Sequence, residues 1–229
     1  MKVENNFDVA IFDMDGTLLD SMRYWRFTTL EFLLAHRLPV RNEDLVRMLD
    51  TSSRKLLFEI AEREGVDIGS REAVVSELEG YMNRHYLQDT SLKDQDLPTF
   101  LQKLKDCGIR MCVATGSPRE FARNGLKRQG ILDYFEFVTD NYERGDGVSK
   151  DQPEYFVHLA ARLGVAPERC VVFEDALYAM ESAKAAGCRV LAIEDSTAHL
   201  QREAILQTAD WCVANYAELI ERMDSAKFL

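Results

Sequence analysis

The segment Asp13-Met14-Asp15-Gly16-Thr17 sets two carboxylates two positions apart, directly after the short β-like run Asp8–Phe12. Side chains alternate along a strand, so Asp13 and Asp15 point the same way beyond its tip. Carboxylates at that spacing repel each other unless a cation or a proton relieves them. Magnesium is suited to relieving them, because it is hard, favours oxygen, and keeps waters and substrate phosphate in its shell. The plain alternative is a solvated acidic turn after an edge strand.

Three further groups fall at or near the ends of later apolar runs. Thr115-Gly116-Ser117 follows Ile109–Ala114. A hydroxyl with free backbone N–H groups there would grip phosphate oxygens, with Ser117 as a simple helix N-cap the alternative. Lys150 comes just before a helical pattern, after the turn Arg144-Gly145-Asp146-Gly147. Taken alone, such a lysine is ordinary solvated surface. Glu174-Asp175 follows Cys170–Phe173 and either completes a metal site or supplies Asp175 as an N-cap. Ser117-Pro118-Arg119-Glu120 and Asp151-Gln152-Pro153-Glu154 both read as capping boxes with proline in the first turn. Two helix N-termini facing one sheet edge would suit an anion.

These groups need a scaffold that brings strand ends together. From about residue 95, β-rich runs (109–114, 135–139, 170–173, 188–193, 211–213) alternate with helical patterns (98–107, 118–129, 152–163, 176–186, 198–207). That alternation means an α/β fold with a Rossmann-like, doubly wound parallel sheet. Ligands in such sheets bind past the carboxyl ends of the strands. Residues 18–92 break the rhythm and show no strand; 21–36, 41–49, 53–64 and 70–87 read as helices. The expected division is a core of 1–17 and 93–229 with an inserted all-helical domain at 18–92, its joints near Leu18–Asp20 and Gln88–Asp96.

Composition narrows the function classes. The 229 residues carry 39 acidic and 28 basic side chains, a formal net charge of −11. That surface repels phosphate backbones, so nucleic acid is not an expected partner. An anionic small substrate would need a local positive site. No apolar run is long enough to span a membrane, and none near the start resembles a signal core. The five cysteines lack metal-ligand spacing and read as reduced thiols of a cytoplasmic protein. The four histidines (His36, His85, His158, His199) show no ligand spacing and read as surface residues.

The order acidic pair, hydroxyl, lysine, acidic pair resembles the haloacid dehalogenase superfamily. Within it, the chain is similar to the β-phosphoglucomutase-like phosphatases that carry a helical cap. The four motifs match as Asp13-x-Asp15-x-Thr17, Thr115, Lys150 and Glu174-Asp175. The insertion, the Val171–Ala176 stretch, the Ala183–Gly187 stretch and Ala209-Asp210 extend the likeness over essentially the whole chain. The resemblance implies a magnesium-dependent phosphatase of a small phosphomonoester, a sugar phosphate or related metabolite, acting as a monomer or weak homodimer. Asp13 would be the nucleophile and form an aspartyl-phosphate. Asp15 would protonate the leaving alcohol, then deprotonate water. Magnesium would be held by the Asp13 carboxylate, the Asp15 carbonyl and Asp175, with Glu174 as ligand or support. Thr115 and Lys150 would hold phosphoryl oxygens, and Gly16, Thr17, Gly116 and Ser117 would line the phosphate.

The sequence also departs from the family pattern. Sugar-phosphate mutase members carry a histidine ten residues after the second aspartate; here that position is Trp25. This favours hydrolysis over a phosphosugar mutase, with Trp25 either contacting substrate or buried on a helix face. Arg54, in Leu49-Asp50-Thr51-Ser52-Ser53-Arg54, lies where such caps place a substrate-binding arginine. The usual lysine-proline-x-proline is Lys150-Asp151-Gln152-Pro153, and Asp151 is expected to cap the helix instead. A non-catalytic phosphate- or metal-binding regulator is the alternative from another class.

Overall fold

A computed structural model describes residues 7–48, 53–141 and 147–225. The chain separates into two compact units with crossings at Asp20–Ser21 and Thr90–Ser91. The first unit holds a sheet whose strands are β1 (Val9–Phe12), β4 (Arg110–Ala114), β5 (Val138–Thr139), β6 (Cys170–Glu174), β7 (Arg189–Ile193) and β8 (Trp211–Val213). Their order is β5-β4-β1-β6-β7-β8, and every pairing is parallel. β1 therefore lies between β4 and β6, where the winding reverses, the usual place for a ligand crevice. All four residues of β1 are buried, as an apolar run covered on both faces requires.

Helices α5 (Leu97–Asp106), α6 (Arg119–Arg128), α7 (Pro153–Arg162), α8 (Leu177–Ala185), α9 (Arg202–Thr208) and α10 (Tyr216–Asp224) complete this unit. On one face Val9, Ile11, Val172 and Val190 pack with Phe156, Leu159, Met180 and Ala183 of α7 and α8. On the other, Phe12 stacks on Phe173 at 4.3 Å, and Phe100 of α5 meets both rings edge-on. The second unit is all helix: α1 (Met22–Ala35), α2 (Asn42–Arg47), α3 (Ser53–Glu64) and α4 (Arg71–Gln88). Phe32, Leu33, Leu56, Leu57, Ile60, Val74 and Leu78 form its separate core.

Several elements differ from the sequence expectation. At the crossings, β2 (Leu19–Asp20) and β3 (Ser91–Leu92) pair antiparallel, two strands too short to leave a periodic signal. The run 135–139 narrows to Val138–Thr139, although Met111 and Val113 still bond to Glu136 and Phe137. The helix expected over 198–207 begins as a 3₁₀ turn at Ser196–Gln201, started by Asp195 accepting from the Thr197 N–H at 2.7 Å. α10 has no counterpart among the helices expected from the sequence. Among the described residues, no helix is long and apolar enough to cross a membrane.

Candidate active site

Asp13 is the first residue beyond β1, and its N–H donates to the Phe173 carbonyl at 2.9 Å, which ties the end of β1 to β6. The chain then folds on itself: Met14 O accepts from the N–H groups of Leu18 and Leu19, and the Gly16 N–H donates to Leu19 O. Gly16 sits at φ 90°, a conformation that a side chain would strain. This tight loop presents Asp13, Asp15 and Thr17.

Lys150 reaches the same point from the chain before α7. Its ammonium lies 2.5 Å from Asp13 Oδ1 and 2.7 Å from Glu174 Oε2, so one cation bridges two carboxylates. All three side chains are nearly closed off from solvent, Lys150 being only 2% exposed. Glu174 Oε1 also accepts from the N–H groups of Asp175 and Ala176. Oxygens of Asp13, Glu174 and Asp175 lie within 4.8 Å of one another, all buried. The Asp15 carboxylate is outside this group; its Oδ2 accepts from the Ser117 hydroxyl at 2.8 Å.

The charges do not balance locally: one buried ammonium faces three buried carboxylates. Burial, and then Glu174, push the Asp13 carboxyl well above the usual range against the pull of Lys150, with Asp15 adding to the rise. Burial with Asp13 and Glu174 does the same to Asp175. Burial disfavours charge on Lys150, but Asp13 and Glu174 outweigh it and hold its proton firmly. Asp13 Oδ2 and the Thr17 hydroxyl are buried without a hydrogen-bond partner among the described residues. An oxygen-only cluster with surplus negative charge and an unpartnered carboxylate oxygen fits a hard divalent cation.

The structure thus brings together Asp13, Asp15, Ser117, Lys150, Glu174 and Asp175, with Thr115 two residues before Ser117. Trp25 and Arg54 lie in the helical unit, Trp25 half-buried on α1 and Arg54 exposed on α3. Leu49–Ser52 and Tyr142–Asp146, which include most of the Arg144–Gly147 turn, fall outside the described residues.

Both capping expectations need correction. α6 starts at Arg119 with Pro118 as N-cap and no side-chain cap. The Ser117 hydroxyl turns to Asp15 instead, and its N–H donates to Thr115 Oγ1 at 3.1 Å. The anion at this helix start is the chain's own Asp140, whose Oδ2 accepts from the Arg119 N–H at 2.7 Å. α7 starts with Gln152 as N-cap, again without a side-chain cap, while Asp151 accepts from the Ser149 hydroxyl. The alternative of Asp175 as N-cap also fails, since Ala176 holds that position. His85 is not a surface residue: it is 9% exposed, with Asp89 at 2.7 Å and Glu31 at 3.3 Å.

Sequence reasoning missed Asp140 and Asn141. Asn141 Oδ1 accepts from the Lys150 N–H at 3.2 Å and so helps aim the lysine. Both residues follow β5 directly, and the strand-end rule that singled out Glu174-Asp175 would have found them.

Comparison with known proteins finds relatives in sequence and in fold. A phosphoglycolate phosphatase from Nitrosococcus oceani is 27% identical over 191 residues, covering 81% of this chain and 83% of that one. A fructose-1-phosphate phosphatase from Escherichia coli K12 is 31% identical over 180 residues, covering 77% and 91%. The crystal structure of a family IA hydrolase from Entamoeba histolytica shares the fold with a TM-score of 0.76 at 21% identity, covering 96% and 99%. The family profile described as haloacid dehalogenase-like hydrolase matches residues 7–187, and with the strand-end cluster of Asp13, Lys150, Glu174 and Asp175 in hand, the chain belongs to that family of hydrolases.

Proposed function

We propose that this protein is a magnesium-dependent phosphatase acting on a small phosphomonoester, a sugar phosphate or related metabolite, through a phosphorylated Asp13. The observation that carries the reading is the state of Asp13: one oxygen is held by Lys150 at 2.5 Å and the other is buried and unpartnered. Relatives named as phosphatases of phosphoglycolate and fructose 1-phosphate support it.

In the proposed reaction, the Asp13 carboxylate attacks phosphorus through one oxygen and the bond to the leaving oxygen breaks. Asp15, steered by the Ser117 hydroxyl, gives that oxygen a proton and the alcohol departs. Asp15 then takes a proton from water as the water attacks the aspartyl-phosphate, releasing inorganic phosphate and restoring Asp13. Two easier displacements replace one hard one. Lys150 and Thr115 hold the equatorial oxygens, where charge spreads in the transition state. Magnesium, held by Asp13, the Asp15 carbonyl and Asp175 with Glu174 behind, would neutralise phosphoryl charge. The helical unit is read as a cap that limits water and selects substrate, with Trp25 and Arg54 as its substrate contacts.

The test is phosphate release from p-nitrophenyl phosphate with and without magnesium, for wild type and Asp13→Asn. Magnesium-dependent turnover that vanishes in the variant is expected. Turnover that survives in Asp13→Asn would overturn the covalent mechanism.

A further inference from the structure

Tyr216 opens α10, beyond the stretch that the family profile matches. Its ring is fully buried and packs 5.3 Å from Phe100. Its hydroxyl donates to the Thr17 carbonyl at 3.1 Å, 199 residues away in sequence. Its backbone N–H donates to Asp94 Oδ2 at 2.9 Å. Asp94 lies on the segment that re-enters this unit after β3. The neighbouring Lys93 donates its N–H to the Leu18 carbonyl at 2.9 Å, and its ammonium pairs with the nearly buried Asp195 at 2.5 Å.

Thr17 and Leu18 close the loop that carries Asp13 and Asp15. Their consecutive carbonyls are thus gripped by two segments, and those segments are joined to each other through Asp94 and Tyr216. On the proposed-function reading of Asp13 and Asp15, we propose that Tyr216 is a positioning residue: its hydroxyl fixes the Asp13–Leu18 loop from behind and makes α10 part of the catalytic apparatus. Burial, with Asp13, Asp94 and Asp175 nearby, holds the phenol far above the usual tyrosine range, so it remains a donor at any working pH. A loop freed at Thr17 would let the nucleophile and the proton donor drift relative to Lys150, and displacements on the order of 1 Å cost large factors in rate.

The test is Tyr216→Phe, which keeps the ring and removes only the donor, with Tyr216→Leu as the packing control. Tyr216→Phe is expected to lower kcat about tenfold with KM within about twofold of wild type. Amide exchange in a peptide covering 13–19 should rise about tenfold, while a peptide covering α3 exchanges as before. Tyr216→Leu should add a loss of Tm. Unchanged kcat and unchanged loop exchange in Tyr216→Phe would overturn the proposal. So would exchange that rises throughout the core unit, because that marks a packing role. If the wild type releases no phosphate from any phosphomonoester, the phosphatase reading fails, and loop exchange still decides whether Tyr216 anchors the loop.

Discussion

Asp13 in the core unit and Asp44 in the helical unit are both shut away from solvent, at 6% and 0% exposure. Their neighbours drive them in opposite directions. Arg63 clasps both oxygens of Asp44, at 2.7 and 2.8 Å, and the Arg41 N–H adds a third hydrogen bond at 2.9 Å. The Arg63 hydrogen bonds hold Asp44 below the usual carboxylate range despite its burial. Asp13 instead shares a single lysine with Glu174, keeps one oxygen unpartnered, and is pushed upward. A carboxylate that the chain satisfies by itself is architecture. One left in surplus asks for something from outside, and displaced ionisation of this kind gathers where chemistry is done.

The largest effect expected from breaking this contrast is at Lys150. Lys150→Met removes the ammonium that bridges the buried carboxylates and should lower kcat/KM about 10³-fold. Steady-state kinetics on p-nitrophenyl phosphate checks it, and a loss under tenfold would show that the lysine only balances charge. Next comes the cation. Magnesium at about 100 times its Kd should stabilise the wild type by about 2.7 kcal/mol. Thermal melts should show most of that gain missing in Asp175→Asn. An equal gain in the variant would move the metal elsewhere.

Asp44→Asn should cost about 1.5–3 kcal/mol, because the amide gives up the charge and one of the two oxygens that Arg63 clasps, and leave kcat unchanged. The sign of its pH dependence follows from a folded value below the unfolded one. The contribution is complete above about 4, the ordinary carboxylate value, and fades as pH falls through the lower folded value. Urea unfolding at pH 7 and pH 3 should therefore show a gap between wild type and variant that narrows on acidification. The smallest effect is at the exposed Arg54. Arg54→Ala should alter stability by less than about 0.5 kcal/mol while raising KM several-fold for a substrate with a second anionic group. An unchanged KM would remove Arg54 from the substrate contacts.

The core motifs were legible because Asp13, Thr115 and Glu174-Asp175 each follow a short apolar run, and β-structure projects whatever follows such a run to one edge, while Lys150 stood out by its place between a turn and a helical pattern. Asp13, Lys150 and Glu174-Asp175 could be ordered without knowing a single distance. Ser117 was misread because a cap is a local inference. Its real partner, Asp15, is 102 residues away, and nothing in Ser117-Pro118-Arg119-Glu120 announces it. Tyr216 went unread because its partner Thr17 is remote in sequence, whereas His85 was misread although its nearer partner, Asp89, lies only four residues on. β2 and β3 left no trace because two residues are too few for a period of two. The helical unit's spans were readable from three- and four-residue spacing. The Asp44–Arg63 pair was not, because it joins two helices whose packing no spacing reveals.

The placement of β1 has one more consequence, in the order of assembly. β1 is flanked by β4 and β6, but the whole helical unit lies in the chain between β1 and β4. The Asp13–Lys150 contact closes over 137 residues. Contacts of such long sequence separation come late, because the entropy of closing the loop must be met before they form. The acidic cluster therefore does not exist in any partial chain that stops before β6. During synthesis both strands that flank β1 emerge only after the helical unit, β4 first and β6 later. The meeting of the Asp13, Glu174 and Asp175 carboxylates then reports that the central sheet has closed.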